Sequence, residues 1–148
     1  MSLRKVFLKN KFTYKLYLLY NLLLRHKYFL NRSTYSQWGE DLEINNYFKN
    51  KKKGKYLDIG SFHPTMYSNT CLLYKRGWNG TNIDLNQTTI DLFNIARPHD
   101  LNLCRIIGSE EKKVQVYFDN LFSPVNTADK DFYTEHKKTF FKDQFIRE

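Results

Sequence analysis

The residues of this chain best suited to chemistry fall in the segment Asp58-Ile59-Gly60-Ser61-Phe62-His63-Pro64. They follow a short apolar run, Lys55 to Gly60, that reads as a buried strand ending in a polar residue and a glycine. Glycine there lets the backbone turn sharply and approach a ligand. A second run, Thr81-Asn82-Ile83-Asp84-Leu85, carries an acid twenty residues beyond Pro64. An acid ending a second strand is suited to accept hydrogen bonds from two ribose hydroxyls. The first loop is not a G-x-G-x-x-G turn: Phe62 stands where the second glycine belongs and the third is missing. A dinucleotide pyrophosphate is therefore poorly served, whereas a nucleoside without phosphate needs no such close approach. Spacing alone leaves a nucleoside site and a plain structural turn both open.

His63 is the candidate general base, since it lies in this loop and titrates near neutral pH. A turn histidine that shapes the loop through local hydrogen bonds is the preferred reading, because sequence assigns it no orienting carboxylate. Trp78, in the turn from Gly77 to Gly80, is expected in the core. Cys71, Cys104 and the four histidines lack close ligand spacing, so no metal site is expected.

These residues must be positioned by alternating strands and helices. Asp41 to Phe48 forms a short helix. Ser68 can cap a helix through Asn69–Arg76, with Gly77 at its end, and its first N–H groups would favour an anionic or carboxylate group. A helix carrying Ile90, Leu92, Phe93 and Ala96 must stop before Pro98. Leu103–Gly108 reads as a third strand, and Val114–Phe118 alternates like a half-exposed one. Strand–helix–strand–helix–strand implies a parallel α/β sheet, which binds ligands at the carboxyl ends of its strands.

Charge divides the chain. All eight basic residues up to Arg32 precede the first acid, Glu40, while the remainder holds 16 Lys and Arg against 15 Asp and Glu. The +9 net charge therefore belongs to an N-terminal extension, and a nearly neutral domain is not expected to bind nucleic acid. The run Lys51-Lys52-Lys53 reads as a solvated loop. The apolar stretch Leu16–Leu24 is about half the ~20 residues that span a bilayer. Two readings of residues 1–32 stand side by side: a basic helix on an anionic membrane surface, or a helix packed on the domain or a partner. Two cysteines form no disulfide framework, so a cytoplasmic location, peripheral to the membrane if the first reading holds, is expected.

Several short motifs occur together: Ser36-Gln37-Trp38-Gly39-Glu40-Asp41, Tyr56–Pro64, Ser68-Asn69-Thr70, Gly77-Trp78-Asn79-Gly80, Asn82-Ile83-Asp84 and Arg97–Leu103. In this order they resemble FkbM-type S-adenosylmethionine-dependent methyltransferases, over about Tyr35 to Thr127. The resemblance implies a Rossmann-like class I methyltransferase sheet with crossover helices. It also implies methyl transfer to an oxygen, often of a sugar or secondary metabolite, so that a small molecule or glycan is the acceptor. By the same resemblance Asp58 and Gly60, with Ser61 adjacent, line the methionine part of S-adenosylmethionine and Asp84 holds its ribose, with Gln37 and Ser68 as further candidates near the pocket.

FkbM-type chains carry a later strand ending in Asp-x-Glu-Gly, which is missing here, and Thr134–Phe145 contains no clear fourth parallel strand. The expected organisation is an extension (1–34), a partial methyltransferase domain (35–127) truncated before its last strands, and a basic, aromatic tail (128–148). Three functions follow: an enzyme, alone or completed by a homo-oligomer or a partner chain; a non-catalytic remnant that at most binds the cofactor; or a basic membrane-surface or protein-interaction module.

Overall fold

The computed structural model describes residues 10–110, 113–118, 120 and 122–136. Three strands form its centre: β1 (Lys55–Ile59), β2 (Asn79–Asp84) and β3 (Leu101–Cys104). They are parallel, in the order β1-β2-β3, with Lys55 opposite Asn79, Ile59 opposite Ile83, and Asp84 opposite Cys104. Between them run α3 (Cys71–Lys75) and α4 (Gln87–Ala96), preceded by α2 (Glu40–Tyr47). The expected α/β organisation is present as a small, open parallel sheet with crossover helices.

Each helix has a local cause. Asn86 caps α4 by accepting from the Thr88 N–H at 3.0 Å, and Ile90, Leu92, Phe93 and Ala96 bury its inner face. Ahead of α2, Ser36 Oγ accepts from the Gly39 and Asp41 N–H groups. The fully buried Asp41 carboxylate accepts from Thr34 Oγ1, the Tyr35 N–H and Ser36 Oγ at 2.6–2.7 Å. The Ser36–Asp41 motif is thus largely a folded helix entrance. Gly39, at φ +91°, takes a conformation that few other residues adopt.

Strand alternation gives the sheet two unlike faces. Tyr56, Asp58, Gly80, Asn82 and Asn102 share the face under α4, where the Asn102 amide donates to Asn94 Oδ1 at 3.1 Å. The other face leaves Leu57 and Leu101 61% and 57% exposed.

On the covered face lies Arg97, which is fully buried. Its Nη2 donates to Pro64 O (2.7 Å) and Ser68 Oγ (2.9 Å), and its Nη1 to Thr70 Oγ1 (2.8 Å). The guanidinium lies over the Phe93 and Tyr74 rings, 4.9 and 5.2 Å from their centroids. Two carboxylates reach this cation through one hydroxyl each. Thr70 Oγ1 donates to Asp58 Oδ2 at 2.6 Å, and the Tyr56 hydroxyl, 3.3 Å from Nη1, donates to Asp100 Oδ2. Asp100 also accepts from the Gly80 N–H and the Asn82 amide, tying β2 to the turn before β3.

The N-terminal segment is built onto this domain. Helix α1 (Lys11–Leu19) begins at Asn10, whose side chain accepts from the Phe12 N–H, and continues as a π-helix through Tyr20–Arg25. Leu18 and Leu22 pack against Leu92 and Ala96 of α4. Burying two leucines contributes about 3–6 kcal/mol before ordering costs. Tyr14 donates to Asp91 Oδ2 at 2.7 Å and Tyr28 to Ala96 O at 2.5 Å. The reading of this segment as a helix packed on the domain describes one of its faces. Among the described residues no helix is long and apolar enough to cross a membrane.

Several local expectations need correction. The helix after the first loop starts at Cys71 rather than Asn69, and Ser68 does not cap it, because its Oγ is held by Arg97. At five residues, this helix gives no basis for the anion site expected at its start. The third strand lies at 101–104 instead of 103–108, because β2 ends at Asp84 and leaves residues beyond Cys104 no strand to pair with. Val114–Phe118 forms no strand; a single antiparallel bridge joins Tyr117 to Thr127. The second strand starts two residues early, at Asn79. Arg4, Lys5 and Lys9, and Thr134–Phe145 beyond His136, lie outside the described residues.

Candidate functional site

The loop after β1 is pinned to the end of β2. Ile83 O accepts from the Gly60 N–H (2.8 Å), the Ser61 N–H (3.2 Å) and Ser61 Oγ (3.4 Å). One residue on, the Phe62 N–H donates to Asp84 Oδ2 at 3.1 Å, and Phe62 O accepts from Thr89 Oγ1 at 2.9 Å. These two bonds hold Phe62 at φ +50°, a left-handed conformation that costs a non-glycine residue about 1–2 kcal/mol. Tyr67 is also left-handed, at φ +55°, and stacks on Phe62 with ring centroids 5.9 Å apart.

This loop borders a cavity of 360 Å³, within the ~300–1,000 Å³ of small-molecule sites. Ile59, Ile83, Leu85, Ile106 and Ile107 give it apolar walls, Phe62 and Tyr67 an aromatic one. Gln37, Asp84, Asn86, Thr89, Arg105, Ser123 and Asn126 bring polar groups. It sits at the carboxyl ends of the strands, where parallel α/β sheets bind ligands.

Asp84 is its best-defined polar group. One carboxylate oxygen accepts from the Phe62 N–H and the other from the Asn86 N–H at 2.8 Å. Burial pushes its carboxyl above the usual range, while those two N–H donors pull it back. Each oxygen keeps acceptor capacity beyond its one backbone bond. Gly60, at φ +72°, also faces open space: a Cβ built there meets no protein atom within 4 Å.

The expected site residues separate into two groups. Gly60, Asp84 and Gln37 line the cavity. Asp58, Ser61 and Ser68 do not: Asp58 accepts from Thr70, Ser61 is buried against Ile83 O, and Ser68 is buried on Arg97.

His63 is not placed as a base. It is fully buried, and its Nδ1 accepts from the Thr65 and Met66 N–H groups at 3.1 and 3.2 Å. Nε2 therefore carries the proton and donates to Asn21 Oδ1 at 3.0 Å. Burial, reinforced by His26 and Arg97, lowers its pKa to about 3. Trp78 is buried as expected, against Phe48.

Sequence reasoning missed Phe62, Tyr67, Asn86, Thr89 and Arg105. Asn86 had a signal, since it stands two residues after the strand acid and directly before the helix it caps. Ser123 and Asn126 reach the cavity from a segment whose pattern carries no such mark.

Comparison with family models, curated proteins and solved structures finds no match for this chain.

Proposed function

We propose that the chain binds S-adenosylmethionine at the carboxyl ends of β1 and β2 and transfers its methyl group to a hydroxyl of a sugar or another small molecule. The observation that carries this reading is the Asp84 carboxylate, fixed through both oxygens at the mouth of a cavity bounded by Gly60. The ordered motifs from Ser36 to Leu103, which resemble those of FkbM-type methyltransferases, support it.

The residues present fit the cofactor. Asp84 would take the ribose hydroxyls, and the apolar and aromatic walls suit an adenine. Gly60 leaves room for the chain that carries the sulfonium. When bound, the cofactor would supply an electrophilic methyl group: the acceptor oxygen would attack the methyl carbon in line as the C–S bond breaks, the thioether leaving and the hydroxyl proton passing to solvent. The protein's own contribution would be orientation, through Asp84, the room at Gly60 and the aromatic wall of Phe62 and Tyr67.

A second reading, a cofactor-binding protein without turnover, has a specific observation in its favour. Among the described residues lining the cavity, the single carboxylate is Asp84, which the ribose would occupy. With His63 buried, none of these side chains is placed to take the acceptor's proton.

Calorimetric titration with S-adenosylmethionine tests the shared premise: failure of a folded sample to bind removes both readings. Transfer of labelled methyl to hydroxylated acceptors then distinguishes them, since binding without transfer leaves the second.

A further inference from the structure

Helix α1 is apolar on two sides, and α4 covers only one. Leu18 and, in the π-helical continuation, Leu22 face α4, while Phe12 and Leu16 on α1 and Tyr20 and Leu24 on the continuation form an exposed row four residues apart away from it. Phe12 and Leu24 are 70% and 67% exposed, and Leu16 and Tyr20 about half. An ordinary surface helix turns its polar residues outward, so this outer row implies an apolar environment. Charge identifies that environment. Lys11 and Lys15 are exposed on the helix, Arg25 and Lys27 are exposed at its end, and no acidic residue precedes Glu40 in the chain. The acid that α1 does contact, Asp91, is engaged by Tyr14 on the packed side. A helix with exposed aliphatic and aromatic residues along one side, and with exposed cations and no acidic residue in the same segment, matches the interface of an anionic bilayer.

We propose that the outer face of α1 docks the protein on an anionic lipid surface, with Phe12, Leu16, Tyr20 and Leu24 entering the headgroup–acyl boundary and Lys11 and Lys15 pairing with lipid phosphates and carboxylates. The helix lies along the membrane and does not cross it. Its inner face keeps it fastened to α4, so the domain is carried to the membrane with it. This placement is independent of what occupies the cavity beside β2.

The test is co-sedimentation of the full chain with vesicles of phosphatidylcholine alone or mixed with phosphatidylserine. Binding is expected to the mixed vesicles, at least about tenfold weaker to neutral ones, and reduced by added salt. The double variant Leu16→Glu/Tyr20→Glu alters exposed positions, and is expected to keep the wild-type circular dichroism and melting temperature while losing vesicle binding about tenfold or more. Lys11→Glu/Lys15→Glu is expected to lose the preference for phosphatidylserine. Absence of binding to the mixed vesicles overturns the proposal, as does binding that both double variants leave unchanged. Analytical ultracentrifugation supplies a further arm. A wild-type dimer dispersed by Leu16→Glu/Tyr20→Glu would assign the face to a second copy of the chain and overturn the lipid reading, whereas a monomer supports it.

Discussion

Substituting Asp84 by asparagine probes the site at the atom that matters most. The two carboxylate oxygens accept from different backbone donors, the Phe62 and Asn86 N–H groups at 3.1 and 2.8 Å. An asparagine offers one oxygen, so one of these N–H groups would face an amide NH₂ instead of an acceptor. A ribose hydroxyl donating to that same oxygen would also lose its partner. A hydrogen bond to a charged group is worth roughly 1.5–3 kcal/mol net, which corresponds to a roughly ten- to hundredfold loss of affinity for S-adenosylmethionine. Folding suffers less: one unmet N–H at a half-buried position costs about 1 kcal/mol, or a few degrees in melting temperature. Isothermal titration calorimetry measures the first effect and thermal unfolding by circular dichroism the second. Asn86→Ala serves as the comparison, because it removes the cap of α4, worth about 1 kcal/mol, yet keeps the backbone N–H that Asp84 uses. A folded Asp84→Asn variant with wild-type affinity would refute the assignment of Asp84 to the ribose.

Gly60→Ala is expected to lower stability by only about 1–2 kcal/mol, from the φ of +72° alone, since its Cβ meets no protein atom; calorimetry should show a ligand affinity at least about tenfold lower, because the methyl group enters ligand space. Stability should fall in acid. His63 stays neutral in the fold until its pKa of about 3, whereas an unfolded histidine protonates near 6.5, so its contribution is complete above the higher value and is lost as pH falls toward the lower one. Denaturant unfolding at about pH 5 should give about 2 kcal/mol less stability than at about pH 8, with His63→Gln flattening that difference. Arg97→Met is expected to cost more than about 3 kcal/mol in the same assay, because Pro64 O, Ser68 and Thr70 lose their buried donor and the Thr70 hydroxyl no longer links Asp58 to a cation. Arg97→Lys should recover little, since one ammonium cannot replace a planar fork bonded on two sides.

The features legible in sequence were those set by short-range chemistry. The strand ending in Asp58-Ile59-Gly60 and the strand acid Asp84 stand where apolar runs and glycine placed them. So does the stop of α4 before Pro98. What escaped depended on partners far along the chain. Asp58 and Ser68 have residue types that suit a ligand, but Arg97, 29 residues after Ser68, holds the Ser68 hydroxyl, and Thr70, itself bonded to Arg97, holds Asp58. Likewise no local signal tells that His63 will meet Asn21 of an N-terminal helix, 42 residues earlier, and lose its access to solvent. Phe62 was legible as an absence of glycine but not as a left-handed residue. That conformation exists because Asp84 and Thr89 hold both its peptide groups. The third strand shifted for a related reason: its length is decided by where β2 ends, which the residues of β3 do not encode.

β1 runs directly into Gly60 yet pairs with a single neighbour among the described residues, β2. No described strand pairs with its other edge, and Leu57 and Ile59 are exposed there. A strand added along that edge would restrict the same backbone that a ligand in the cavity needs ordered. Edge pairing and ligand binding would then share a coupling free energy, and by reciprocity each would raise the affinity of the other. The margin of this small sheet would then bear on the cavity at its end, with β1 as the element on which both events act.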